Sequence, residues 1–361
     1  METGVQAAPG LYEPISEWMG LCEALIQRAL QTGRPTVDRV LADLPFGGKR
    51  LRPTLLLLFA AMGSARRERV VKLAAGMELL HWATLVHDDV IDESDIRRGQ
   101  PALHCRRGER AAVIVGDFLF ARAYDFFASC GASACRTADA LVKAMCEGEL
   151  MQMASGYRPE RTEEDYFDCI EKKTAIFIAT ACQMGAESGN LALHLCKAAA
   201  RFGNALGMSY QIMDDLQDLS ECVNSINGVN DANDVNGAHG LNGANAAAAG
   251  SRLANRGNDA ARGLFTLPLI HYYRSRKVQE QARRQRHDGK LTLEWSQTCW
   301  NVLGSDPIIY RESLSYACEA AACFLEKACE ALDLFPAGAP KVALGDLVNA
   351  LDKSIQNMRK G

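Results

Sequence analysis

The chain of 361 residues carries no large excess of charge: 40 basic residues stand against 44 acidic ones, a formal net charge of -4. That balance excludes a broad attraction to nucleic acid, so any anion binding must be local. No apolar run reaches the roughly 18 residues that a membrane span needs, and stable membrane insertion is not expected. The opening METGVQAAPG lacks the basic and apolar regions of a secretory signal. The cysteines number thirteen, an odd count, and form no CxxC pair. They fall mostly in apolar helical stretches, such as the one holding Cys318 and Cys323, so the expectation is a reduced, cytoplasmic protein whose thiols act as small core hydrophobes. Strand signals are also scarce. No defensible Ser/His/Asp or Cys/His arrangement is present, and a covalent protein nucleophile is not expected.

What is present is a series of helical patterns around two acidic clusters. In HWATLVHDDVIDESDIRRG, His81 to Gly99, an apolar run ends in Asp88, Asp89 and Asp92, followed by Arg97 and Arg98. Asp88, Asp92 and Asp95 have the spacing of one helical stripe. A second cluster, Asp214, Asp215 and Asp218 in YQIMDDLQDL, also follows an apolar run. Neither cluster has a neighbouring Cys or a His pair at ligand spacing, although His87 adjoins the first. Oxygen-only donors suit a hard cation such as Mg²⁺, bound through a few carboxylates plus substrate phosphates. One such cluster alone reads as a solvated helix face. Two of identical spacing, with basic motifs nearby, read as carboxylates on facing helices holding Mg²⁺ against a diphosphate, with Lys49, Arg52, Arg97, Arg98 and Lys173 taking the remaining phosphate oxygens.

Helical periodicity predicts elements over residues 15–31, 54–62, from about Val70 into the first cluster, 111–127, 138–153, 163–185 and 191–218, and a last helix carrying Leu344, Leu347, Val348, Leu351, Ile355 and Met358 on one face. Phe46 to Pro53, FGGKRLRP, pairs two glycines with three cations at a helix start, a local anion site or an ordinary charged loop. Residues 104–110 read as a basic loop. Glu221 to Asn258, rich in Asn, Gly and Ala with three apolar-Asn-Gly copies, reads as a disordered loop inserted into one domain spanning 1–361.

GGKRLRP, HDDVIDESDIRRG, KKTA and YQIMDDLQD, in that order, resemble the trans-isoprenyl diphosphate synthases, most closely the long-chain, octaprenyl-type branch. The resemblance runs from about Phe46 to Pro268. It implies an all-α fold with antiparallel helices around a deep central cavity, a homodimer, and Mg²⁺-dependent condensation of isopentenyl diphosphate with an allylic diphosphate such as farnesyl diphosphate. By the same resemblance, Asp88, Asp89, Asp92, Asp214, Asp215 and Asp218 match the Mg²⁺-binding motifs. Lys49, Arg52, His81 and Arg98 match contacts to isopentenyl diphosphate, and Arg97, Lys173, Thr174 and Gln211 match contacts to the allylic substrate.

One turn upstream of the first cluster, Ala83 and Thr84 are placed deeper along the cavity, and the small Ala83 is expected to let a chain longer than farnesyl pass. Two departures stand out. The lysines expected after the second aspartate motif are replaced at Leu253, Ala254 and around Arg262, leaving Arg252, Arg256 or Arg262 as substitutes. Arg107 stands where an aromatic is expected. The missing lysines motivate the alternative of a non-catalytic or regulatory prenyl-diphosphate-binding subunit. A shorter-chain, geranylgeranyl or farnesyl synthase is a further alternative.

Overall fold

The computed structural model describes residues 10–44, 47–156, 158, 160–234, 263–274 and 307–360. In chain order its helices are α1 (Ser16–Ala29), α2 (Pro35–Leu41), α3 (Leu51–Ala61), α4 (Arg67–Ile91), α5 (Leu103–Arg107), α6 (Glu109–Ser129), α7 (Ala132–Ala154), α8 (Glu163–Ile170), α9 (Ile176–Ser188), α10 (Leu193–Asp234), α11 (Leu267–Arg274), α12 (Pro307–Asp333) and α13 (Ala339–Lys360). A π-helical turn, Glu171–Ala175, joins α8 to α9. The strands β1 (Ile96–Arg97) and β2 (Gln100–Pro101) form a two-residue antiparallel hairpin after α4. Among the described residues this hairpin is the whole of the β-structure, and the all-α expectation holds.

The central helix is α4. Its buried residues occupy consecutive positions, Val70 and Val71, Leu73 to Leu80, then Trp82 and Ala83, rather than one stripe. A helix apolar all round belongs in the middle of a bundle. Accordingly α4 packs against α6, α3 and α1, while α9 lies between α3 and α10, and α10 carries α12 on its other side. The same logic applies to α3, where every residue from Pro53 to Ala60 is buried.

Small residues set how closely these helices approach. On α9, a Cβ placed on Gly185 would fall 2.2 Å from the backbone oxygen of Leu56 on α3. Backbone cannot yield there as a side chain can, so Gly185→Ala should cost at least about 1–3 kcal/mol. Thermal unfolding would report it as a lowered midpoint, and an unchanged midpoint would show that α3 and α9 are not so closely packed.

Several helix boundaries differ from expectation for local reasons. Pro35 does not merely break the chain but opens α2 at its first position, where its missing N–H costs nothing. Residues 163–185 are not one α-helix, because the π-turn interrupts them at EKKTA. The basic loop contains the short helix α5. α8 begins with a capping box in which the Thr162 hydroxyl accepts from the Asp165 amide and the Asp165 carboxylate accepts from the Thr162 amide.

The largest difference concerns the expected insertion. Glu221 to Asp234 are helical, a continuation of α10. Extending an existing helix avoids the nucleation cost, and the roughly 1 kcal/mol penalty of a glycine such as Gly228 does not end it. The remainder of that segment, from Val235 to Asn258, lies outside the described residues, as do Arg252, Leu253, Ala254, Arg256 and Arg262.

Candidate active site

The ends of α4 and α3, the middle of α10, the π-turn and the β-hairpin meet around one cavity of about 780 Å³. Its polar wall includes Asp88 and Asp92 from α4 and its cap, Asp214, Asp215 and Asp218 from α10, and Lys173, Thr174 and Gln211. Lys49, Arg52, His81, Arg97 and Arg98 also line it. Its apolar wall is supplied by side chains such as Ile170, Phe177, Ile178, Leu206, Leu347 and Leu351. Residues separated by more than 160 positions, from Lys49 to Asp218, thus share one space.

The α4 terminus aims the first cluster. The helix stops at Ile91, Glu93 takes a left-handed conformation with φ of 50°, and the amides of Glu93 and Ser94 reach back to the carbonyls of Val90 and Asp89. This is a Schellman closure with glutamate where glycine is usual, so the sequence gives little sign of it. Asp88 and Asp92 remain on the cavity side. Asp95 falls beyond the helix, exposed and off the cavity wall, which corrects the expected three-aspartate stripe. The second cluster lies mid-helix, not at a helix end, because α10 continues past it.

Asp89 is not on the wall either. It is buried, and the Arg97 guanidinium clasps one of its oxygens, with Nε at 2.8 Å and a second short contact through the terminal nitrogen. Asp89 therefore holds Arg97 in place. Asp215 is fixed from both sides: Tyr166 donates to Oδ2 at 2.7 Å and Gln211 donates to Oδ1 at 2.8 Å. Gln211 in turn accepts from the Thr174 hydroxyl at 2.8 Å. The π-turn places Thr174 and Lys173 on the same rim, and such single π-turns are frequent at functional sites.

Electrostatically the wall is poised. Burial, together with Glu149 and Asp92, pushes the Asp88 carboxyl up to about 6, against the opposing pull of Lys173 and Arg97. Lys173 is ion-paired to Glu149 at 2.6 Å. Burial works to lower its ammonium, but Glu149, Asp88 and Asp92 outweigh that and raise it, so Lys173 stays charged. His81 behaves oppositely, since burial and the surrounding Arg52, Arg98 and Arg97 hold it well below its ordinary value. Neutral His81 accepts from Arg52 through Nε2 at 3.1 Å, and the same guanidinium lies over the Phe177 ring at 4.8 Å.

The glycine-basic segment is strapped down by the middle one of its three cations. Arg50, at a left-handed φ of 49°, pairs with Glu23 at 2.7 Å and with buried Glu78 at 3.0 Å, and stacks over Trp82. Trp82 donates to the same Glu78 at 2.9 Å. Tyr12 donates to the Lys49 carbonyl at 2.6 Å, and Arg98 donates to the Gly47 carbonyl at 2.6 Å. Glu78, Glu149 and Tyr166 are thus positioning residues without a spacing signal in the sequence. Arg107, the departure from an aromatic, makes an ion pair with Asp43.

Of the two positions expected to set chain length, Thr84 lines the cavity and Ala83 does not. Ala83 is fully buried in the core around α4.

A polyprenyl synthetase family model matches residues 34–236 of this sequence. The chain belongs to the polyprenyl synthetase family. Within that family it is 38% identical over 210 residues to the heptaprenyl diphosphate synthase component 2 of Geobacillus stearothermophilus, covering 57% of this chain and 65% of that protein. It is 35% identical over 204 residues to the geranylgeranyl diphosphate synthase of Methanosarcina mazei, covering 54% and 62%. The matched region thus spans just under two thirds of these relatives. Among solved structures, the Caulobacter crescentus polyprenyl synthase complexed with calcium and isoprenyl diphosphate superposes with a TM-score of 0.75 at 28% identity, over 96% of this chain and 98% of that one. The isoprenoid synthase fold of the polyprenyl synthetases is thereby established for this chain. No described helix is long and apolar enough to cross a membrane.

The donor chemistry of this polyprenyl synthetase fits a hard divalent ion. The five cavity-wall aspartates offer oxygen alone, and no three of their side chains converge tightly enough to cage a metal unaided. Mg²⁺ suits that arrangement, since it keeps waters and completes its shell with phosphate oxygens.

The Asp88 value sets a pH dependence. An elevated carboxyl favours the neutral form in the fold, so its contribution to stability is present below about pH 4 and lost as pH rises through about 6. Metal binding requires the ionised form and should therefore weaken below pH 6. The rise in unfolding midpoint on adding Mg²⁺ should be larger at pH 7.5 than at pH 5.5, and an equal or reversed response would contradict the assignment.

Proposed function

We propose that the chain is a Mg²⁺-dependent prenyltransferase that condenses isopentenyl diphosphate with an allylic diphosphate, farnesyl diphosphate by preference, to make a long-chain all-trans polyprenyl diphosphate. The observation that carries this reading is that aspartates of both clusters, a set of cations and an apolar wall line one cavity. Asp88 and Asp92, together with Asp214, Asp215 and Asp218 on the same cavity wall, would hold the metal, which would supply charge neutralisation to the departing diphosphate.

The chain's own groups do the rest. Arg97 and Lys173 stand where they can stabilise negative charge as the allylic carbon-oxygen bond breaks. Lys49, Arg52 and Arg98 form a second cationic set suited to the isopentenyl diphosphate, with neutral His81 oriented by Arg52. The isopentenyl double bond attacks the allylic cation, and a proton leaves to the released diphosphate. The apolar wall receives the growing chain and keeps water from the cation.

A homodimer belongs to the same proposal. It is supported by exposed apolar side chains on neighbouring helices, Val113 and Ile114 on α6 and Leu150 and Met153 on α7. A quinone side-chain precursor fits as the product, and a cytoplasmic location fits the free thiols and the lack of a described membrane span.

Incubating the full chain with labelled isopentenyl diphosphate, farnesyl diphosphate and Mg²⁺ should yield an elongated lipid, sized after dephosphorylation. Absence of product with every allylic primer would overturn the catalytic reading. Diphosphate binding without turnover would instead favour a second reading, in which the chain needs a partner subunit. The likeness to a protein named as one component of a synthase supports testing that reading. Thr84→Phe places a ring on the cavity wall and should shorten the product by one or more isoprene units. An unchanged chain length would remove Thr84 from the account.

A further inference from the structure

Outside the aspartate-lined cavity, the fold assembles a second set of ligand-type side chains that no spacing in the sequence announces. The β-hairpin folds residues 104 and 105 back onto residue 95, and the turn is closed by the Ala102 amide donating to the Asp95 carbonyl at 2.8 Å. The Cys105 Sγ then lies 3.3 Å from Asp95 Oδ1 and 3.3 Å from His104 Nε2, and His104 Nε2 lies 3.9 Å from Asp95 Oδ1. Among the described residues, this is the one place where three His, Cys, Asp or Glu side chains bring ligand atoms within 4.8 Å of one another.

Two of these separations fall in the range of a tetrahedral coordination polyhedron, and the third, at 3.9 Å, lies just outside it. A tetrahedral Zn²⁺ with sulfur at about 2.3 Å and nitrogen and oxygen at about 2.0–2.1 Å holds its ligand atoms about 3.3–3.6 Å apart. The trio needs only sub-ångström adjustment to take the ion. The chemistry agrees as well: a thiolate, a neutral imidazole and a carboxylate carry two negative charges, which cancel a divalent ion. A thiolate also favours zinc over the hard cations suited to the aspartate cavity. Access is open, because Asp95 and Cys105 are exposed while the His104 side chain is only 12% exposed and gives the set one anchored member.

The set is separate from the cavity. Ser94 and Ile96 line the cavity wall, but Asp95 between them, and His104 and Cys105, do not. We propose that Asp95, His104 and Cys105 form a site for a thiophilic divalent cation, Zn²⁺ by preference, with one coordination position left for water. On binding, Zn²⁺ replaces the Cys105 thiol proton, which passes to solvent, and no oxidation is involved. The ion would cross-link residue 95 to residues 104 and 105, clamping the base of the hairpin that carries Arg97 and Arg98. The proposal does not depend on prenyl transfer.

The test uses the full chain with Co²⁺ as a spectroscopic substitute for Zn²⁺, in excess Mg²⁺ so that the aspartate cavity is occupied. One Co²⁺ per chain should produce a thiolate-to-metal charge-transfer absorption that Zn²⁺ abolishes. Cys105→Ser should lose that absorption, whereas Cys146→Ser, which alters another exposed thiol, and Asp214→Asn, which alters the cavity, should both retain it. Absence of the absorption in the wild-type chain, its survival in Cys105→Ser, or its loss in Cys146→Ser or Asp214→Asn would overturn the site. An inactive but Co²⁺-binding chain would refute the proposed function and leave this inference standing.

Discussion

Replacing Asp88 with asparagine should lower the rate of prenyl transfer by about 10²–10³-fold, the range typical for removing one preorganised electrostatic contact to a developing charge. The substitution keeps the size and the helical position of the side chain but removes the charge that a metal needs. Asp88 is half-buried on the cavity wall beside Asp92 and Lys173. Loss of its charge also leaves Lys173 with fewer acidic neighbours, so Lys173 should pair more closely with Glu149 and be less available to a phosphate. The rate should therefore not recover at high Mg²⁺. Steady-state kinetics with farnesyl and isopentenyl diphosphates, alongside circular dichroism to establish that the helices persist, would check this. Activity within a factor of a few of the parent would show that the first aspartate row does not act on the leaving group.

The second large effect is on stability. Glu78→Ala should destabilise the fold by about 3 kcal/mol, the low end for breaking a buried ion pair, because Arg50 loses its buried partner and retains the more exposed Glu23. Glu78 is only 2% exposed and accepts from both Arg50 and Trp82, so the change leaves a guanidinium and an indole N–H without that partner. Arg50 would keep Glu23, which is more exposed. The strap on the glycine-basic segment would loosen, and with it the placement of Lys49 and Arg52. Chemical denaturation should show the midpoint falling with little change in slope. The substrate affinity of surviving folded protein should weaken most for isopentenyl diphosphate. A stability change under about 1 kcal/mol would mean that the pair is not holding the segment.

The sequence made parts of this legible because they are carried by local rules. Aspartates at helical spacing after apolar runs locate both rows, and the glycine pair before Arg52 locates the basic rim. Most of the long helices follow from apolar periodicity, whereas the short α2 and α5 do not. What escaped was set by long-range packing or by backbone detail. Asp89 has the same spacing signal as Asp88, yet its neighbour Arg97 returns on the hairpin and covers it. Ala83 and Thr84 differ by one position, about 100° around the helix, and only the packing of α4 decides that Thr84 faces the cavity. Tyr166 and Glu149 bind Asp215 and Lys173, and contacts across 49 and 24 residues have no periodic signature. The Schellman closure at Glu93 lacks the glycine by which such endings are recognised, so the spacing that puts Asp95 on the helical stripe gives no sign that the helix has already stopped.

Both aspartate rows are proposed to grip a single diphosphate through metal. Calorimetric titration of the full chain with farnesyl diphosphate, with and without Mg²⁺, tests it most directly in the parent, Asp88→Asn and Asp214→Asn proteins. Binding should require Mg²⁺ in the parent and weaken at least about tenfold in each variant, a loss of about 1.4 kcal/mol or more. Binding indifferent to Mg²⁺, or sensitive to one row alone, would contradict the account.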